Sequence, residues 1–147
     1  MSRIMGLDIG LKRTGVAISD ENQSISLPRS VIEATDKQTW LSKVRTFVEN
    51  EDIEKIVVGI PLNQHGEEGT DAQKIRQFIA LLQERLNVPV IEWDERFTTA
   101  QAERSMIAAD LSRAKRKKIV DKVAATILLQ SYLDSLRFSE HSPCDES

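Results

Sequence analysis

Asp8 interrupts an apolar run from Ile4 to Ile9, with a glycine two residues away on either side in Gly6-Leu7-Asp8-Ile9-Gly10. In a strand, alternation puts Asp8 on the face of Ile4 and Gly6, so its carboxylate opens beside a residue without a side chain and leaves room for an ion or a substrate backbone. A second acidic group, Glu92-Trp93-Asp94-Glu95, falls where a predicted strand ends and the chain turns toward a helix, the end of an open α/β sheet where ligands gather. Asp121 stands at the opening of the last predicted helix. At 100° per residue it shares a stripe with Ala125, Leu128 and Tyr132, and an acid on a buried stripe needs a partner, for which a bound cation is one solution. Each position also has an ordinary reading: a turn aspartate beside a glycine at Asp8, and helix-start charges favoured by the dipole at Asp94 and Asp121. Brought together, the three acids would offer hard oxygen ligands to a divalent cation. Like charges a few Å apart raise one another's pKa values, so bound Mg²⁺ or Mn²⁺ is what would keep all three ionised.

The elements needed to bring them together are legible in the pattern. Ile4 to Ile9, Gly15 to Ser19 and a segment around Ser24 to Ile32 read as strands, with Gly10 and Gly15 bounding the first connection and Asp20-Glu21-Asn22 the second. Such short connections imply an antiparallel meander, and Pro28 places the third strand at an edge or breaks it. From Asp36 the period becomes helical through Trp40, Val44, Phe47 and Val48. Lys55 to Ile60 is then nearly all apolar, as in a central strand buried on both faces. Ile75, Phe78, Ile79, Leu82 and Leu86 mark a second amphipathic helix, and Val88 to Trp93 a further strand with Pro89 near its start. Thr98-Thr99 can cap a third helix to about Asp110, and a last helix runs from about Lys118 to Leu136, largely buried by its composition. The sum is an α/β fold: a mixed five-stranded sheet, a three-strand antiparallel meander plus parallel strands, flanked by helices.

A chain of 147 residues suits a single domain, taken as 1–138, with a disordered acidic tail at 139–147 that carries Glu140, Asp145 and Glu146. One cysteine, Cys144, excludes an internal disulfide framework and suits a reducing cytoplasm. No apolar stretch approaches a membrane span. The net charge of −3 and pI near 5.5 count against a nucleic-acid partner, but they conceal a segregated run: from Arg113 to Lys118, five of six residues are basic. Alone, such a run is as well explained by a solvated helix end.

Taken in order, the glycine-flanked Asp8 segment, Val57-Val58-Gly59-Ile60-Pro61-Leu62-Asn63 with Gly66 and Gly69 after it, Asp94-Glu95-Arg96 before Thr98-Thr99, and Asp121 before Ala124-Ala125 and Leu128-Leu129-Gln130 resemble the motifs of the YqgF (RuvX-type) family across nearly the whole chain. Leu11 departs from the threonine or serine common after the glycine. The resemblance implies a ribonuclease H-like fold and a metal-dependent endonuclease that resolves Holliday junctions, matures the 5′ end of pre-16S ribosomal RNA, or both. It implies Asp8, Glu95 and Asp121 as the catalytic, metal-binding acids, with two Mg²⁺ or Mn²⁺ ions. Lys12, Arg13 and Arg96 would contact phosphate near the metals, Asn63 would line the same edge, and Arg113, Lys115, Arg116, Lys117 and Lys118 would anchor the flanking backbone of structured RNA or branched DNA. Junction cutting calls for a symmetric homodimer, whereas RNA processing needs one site and an association with the ribosomal precursor.

Two other classes share parts of this pattern. Asp-x-Gly before a turn and strand also resembles the phosphate hairpin of actin-like ATPases and sugar kinases, but those clasp nucleotide between two lobes and this chain has length for one. A nucleic-acid-binding module without turnover would keep the fold and basic run but has no use for three acids.

Overall fold

A computed structural model describes residues 2–10, 12–33, 36–61, 69–94 and 123–136. Strands β1 (Arg3–Ile9), β2 (Arg13–Ser19) and β3 (Ser26–Glu33) are followed by helix α1 (Lys37–Asn50), strand β4 (Ile53–Ile60), helix α2 (Thr70–Arg85) and strand β5 (Val90–Asp94). A third helix, α3, occupies 123–136. The five strands form one sheet in the order β3-β2-β1-β4-β5, antiparallel from β3 to β1 and parallel from β1 to β5. This is the mixed sheet expected from the sequence. The predicted helix from Thr98-Thr99 to Asp110, the start of the last helix before 123, and the tail from 139 all lie outside the described residues.

Alternation along the strands divides the core in two. Met5, Leu7 and Ile9 of β1, Val16 and Ile18 of β2, and Ile56, Val58 and Ile60 of β4 face α1 and α2, where Trp40, Val44, Ile75, Ile79 and Leu82 meet them. Ile4, Ala17 and Val57 point the other way, with Ile91 and Trp93 of β5, onto Ala125, Leu129, Tyr132 and Leu133 of α3. Both faces of β4 are therefore covered, as its unbroken apolar run requires. On the first face, Trp40 packs edge-on against Phe78 at 4.7 Å and donates its indole N–H to the Thr14 hydroxyl at 2.9 Å. That buried bond satisfies both polar groups and ties α1 to β2.

Local chemistry sets the boundaries. The Asp36 carboxylate caps α1 by accepting from the Thr39 amide at 2.7 Å. The Asp20 carboxylate accepts from the amides of Ser24 and Ile25 at 2.8 and 3.0 Å, closing the β2–β3 turn. Pro28 sits on the edge strand, and the ladder slips beside it between Val16 and Ala17, so the missing donor falls at a bulge. Pro89 precedes β5 and uses its carbonyl, which accepts from the Ile56 amide at 3.0 Å. Several boundaries shift by two residues: β3, β4 and β5 begin at Ser26, Ile53 and Val90 where Ser24, Lys55 and Val88 were expected. β2 begins at Arg13, and Gly15 lies inside the strand because hairpin pairing extends to Asp8 opposite Gly15 and Ile9 opposite Thr14. Among the described residues no helix is long and apolar enough to cross a membrane.

The sheet and α3 approach each other closely at Gly6. A Cβ placed there would lie 2.8 Å from the Leu129 Cβ and 3.3 Å from the Ala125 carbonyl oxygen. Both atoms are fixed by the helix backbone, so neither can swing away. The Gly6→Ala variant is expected to be less stable by about 1–3 kcal/mol, because overpacking outweighs the few tenths to 1 kcal/mol that alanine contributes by restricting the unfolded chain. Urea unfolding should show a lower midpoint at unchanged slope, and a midpoint equal to or above that of the parent would refute this packing account.

The two turn aspartates make acid stability predictable in sign. Asp20 is held below the ordinary carboxylate value of 3.8 by the amide hydrogen bonds from Ile25 and then Ser24, and Asp36 is held below it by Thr39. A lowered folded-state pKa contributes stability that is present above 3.8 and lost as pH falls through the folded value. The Asp20→Asn/Asp36→Asn protein should therefore melt below the parent at neutral pH, and the gap should close as the pH is taken below 3.8 in a series of thermal melts. A gap that widened on acidification would reverse the sign.

Candidate active site

β1, β4 and β5 run parallel, so their carboxyl ends share one end of the sheet, and α3 brings its amino end to the same place. The direction of α3 follows from its contacts. Ala125 and Leu129 lie against Gly6, while the Gln130 side chain, further along, accepts from the Ser26 amide at 2.8 Å and donates to the Ser24 carbonyl at 3.0 Å at the opposite end of the sheet. The helix therefore runs antiparallel to β1, with residue 123 toward the end where Asp8 sits.

Asp8 is half-buried near the end of β1, on the α3 face by alternation from Ile4 and Gly6. Its carboxylate makes no hydrogen bond or ion pair with another described residue. A partly buried carboxylate of this kind is costly to leave unsatisfied and is the donor type a hard cation takes. The room beside it has a different source from the one inferred from Gly6, since α3 fills the space above that glycine. In its own row across the sheet, Asp8 stands opposite Gly15 on β2. One step beyond the Leu7–Val58 pair it stands abreast of Gly59 on β4, which in turn pairs with Trp93 on β5. The row Gly15, Asp8, Gly59, Trp93 thus has no side chain on either immediate flank of the carboxylate. The signal for Gly15 was present in the hairpin, since a turn centred between Ile9 and Thr14 fixes the partner of Asp8.

Lys12 is exposed in the β1–β2 turn and Arg13 is half-buried at the start of β2, so both cations expected near the site do stand at this end of the sheet. The turn is tight. The Gly10 amide donates to the Arg13 carbonyl at 2.8 Å, and a Cβ on Gly10 would meet the same oxygen at 2.8 Å, which only glycine avoids.

The acidic group of β5 is split by alternation. Glu92 points to the α2 face, where both of its oxygens are 2.9 Å from the Arg76 guanidinium in a bidentate pair. Trp93 points to the α3 face, its ring edge-on to Tyr132 at 5.5 Å and its indole N–H donated to the Ser131 hydroxyl at 3.2 Å. Glu95, Asp121, Asn63, Arg96, Arg113, Lys115, Arg116, Lys117 and Lys118 lie outside the described residues, as does Leu11. Among the described residues no group of three potential metal ligands forms. A depression of about 510 Å³ opens at the opposite end of the sheet, but its charged lining is mutually engaged, with Arg3 paired to Glu21 and Glu51 and Arg29 paired to Glu51.

This sheet order, with a helix laid antiparallel to the first strand, defines a ribonuclease H-like fold. Among solved structures it is similar to the Fowlpox virus resolvase in complex with Holliday junction DNA (TM-score 0.58, 19% identity, 91% of this chain and 98% of that one). It is also similar to RuvC of T. thermophilus in complex with a Holliday junction substrate (TM-score 0.59, 15% identity, 93% and 96%). The sequence pattern of the RuvX family, described as Holliday junction resolvase, matches residues 2–135, and the chain belongs to that family. Relatives that bear the name "Putative pre-16S rRNA nuclease" include one from Desulforudis audaxviator, 44% identical over 90% of this chain and 94% of its own. A second, from Caldanaerobacter subterraneus, is 46% identical over 93% and 99%.

Proposed function

We propose that this chain is a divalent-metal-dependent endonuclease of the RuvX family that hydrolyses phosphodiester bonds in structured RNA, at the 5′ end of the 16S ribosomal precursor, in the cytoplasm. The observation that carries the reading is Asp8: a half-buried carboxylate without a protein partner among the described residues, at the sheet end where β1, β4, β5 and α3 converge. RNA is preferred over branched DNA as substrate because the relatives above 40% identity bear the rRNA name, whereas the junction-bound structures are below 20%.

Glu95 follows directly on the last residue of β5, a strand whose Ile91 and Trp93 face α3 as Asp8 does. Strands two places apart are about 10 Å from each other, a gap that two carboxylate side chains and what they bind can span. Asp121 precedes the described start of α3 by two residues and completes the acidic set. These three would hold Mg²⁺ or Mn²⁺, with two ions expected. The bound metal supplies the activated water and the positive charge that phosphodiester hydrolysis requires. Lys12, Arg13 and Arg96 hold the scissile phosphate by charge, Asn63 lines the edge, and Arg113, Lys115, Arg116, Lys117 and Lys118 engage the backbone beyond it. One such site per molecule suffices for RNA; a homodimer belongs to the junction-cutting alternative.

Asp8→Asn, Glu95→Gln and Asp121→Asn should each fold and lose on the order of a thousandfold in cleavage rate, equivalent to several kcal/mol of charge stabilisation. The assay compares a labelled RNA spanning the precursor 5′ end with a four-way DNA junction, in Mg²⁺, Mn²⁺ or EDTA. Cutting of the junction alone would transfer the assignment to resolution, and full activity in any two variants would sink the acidic site.

Phosphate anchoring by the basic run makes a separate prediction. Replacing Arg116 and Lys117 by Gln should weaken RNA binding and flatten the plot of log affinity against log salt by about 0.7 for each charge removed. An unchanged slope in filter-binding titrations would return the run to the status of a solvated segment.

A further inference from the structure

Among the described strands β5, of five residues, is an edge strand paired to β4 alone. Hydrogen bonding from one side leaves such a strand free to shift, and a carboxylate delivered from its end would shift with it. Its two faces are fastened differently. On the α2 side Glu92 pairs with Arg76 between exposed residues, a contact that water weakens. On the α3 side Trp93 is half-buried, lies edge-on to the buried Tyr132 and donates its N–H to the Ser131 hydroxyl at 3.2 Å. α3 itself is seated on β1 at Gly6 and on the start of β3 through Gln130. The Trp93–Ser131 bond therefore closes a frame in which β5 is referenced to the same helix as β1.

We propose that Trp93 is a positioning residue for the acidic site, fixing the end of β5 that leads into Glu95 relative to α3, the helix that follows Asp121, through its indole N–H on Ser131. The inference rests on the reading of Glu95 and Asp121 as ligands made above. Ligand sets tolerate displacements of about 0.5 Å, so a strand end free to slide would weaken metal affinity before it weakened the fold. The ring fills the core against Tyr132, and the N–H adds a directional link to Ser131 that a phenyl ring lacks.

The test is Mn²⁺ affinity, by isothermal titration and electron paramagnetic resonance of the intact protein, beside metal-free melting temperatures. Trp93→Phe and Ser131→Ala should each bind Mn²⁺ about tenfold more weakly, the lower end of what ligand-orienting groups contribute. The double variant should be no weaker than either single, because both remove one bond. Ser131→Thr, which keeps the hydroxyl, should restore affinity, and the metal-free melting temperatures should stay close to that of the parent. Unchanged affinity in both single variants, an additive double variant, or losses that merely follow the melting temperature would overturn the proposal. Asp8→Asn, titrated alongside, separates the two levels: parent-like Mn²⁺ binding there would remove the acidic site itself, whatever the Trp93 variants do.

Discussion

The approach of α3 to β1 at Gly6 governs the α3 side of the molecule. With the Leu129 Cβ and the Ala125 carbonyl so near the strand, the helix is set close to the sheet, and Ile4, Ala17 and Val57 are covered by Leu129, Tyr132 and Leu133. That seating also orients the helix. Its amino end is directed to the carboxyl ends of β1, β4 and β5, and its carboxyl end to the β2–β3 turn that Gln130 grips. A helix lifted off by a side chain at position 6 would loosen the core on that face.

The two faces of the sheet carry different work. Against α1 and α2 lies a continuous apolar core built from every strand's inward set, with Thr14 and Trp40 resolving their polar atoms on each other. Against α3 the described apolar cluster is Ile4, Ala17, Val57, Ala125, Leu129, Tyr132 and Leu133, and the row through Asp8 holds glycines rather than branched side chains. The half-buried Asp8 is tolerated because the core against α1 and α2 does not depend on it.

Much of this was legible in the chain. The continuous apolar run of β4, the helical period through Trp40 and Val44, and Pro28 as an edge marker are local signals, and each is where periodicity put it. Asp8 was conspicuous because an acid in an apolar strand has few explanations. What escaped notice depends on partners distant in sequence. The space over Gly6 read as room for a ligand because nothing in residues 4–10 says that Leu129 will occupy it. Gly15 read as a turn residue, although it pairs with Asp8 within β2. Glu92 read as one of a cluster until alternation sent it to Arg76, and Trp93 carried no signal beyond an apolar position because its hydrogen-bond partner is 38 residues away.

The bulge beside Pro28 has a bearing on how the protein behaves in a crowded solution. β3 is an outer strand, and Ile25 and Leu27 at its start are about half exposed, a combination that invites a second chain to add a strand and begin an aggregate. The slipped register beside Pro28 bends the backbone away from the straight, evenly spaced row that an incoming strand would need. Two apolar side chains can therefore remain exposed on that rim with less invitation to strand addition than a straight edge would give.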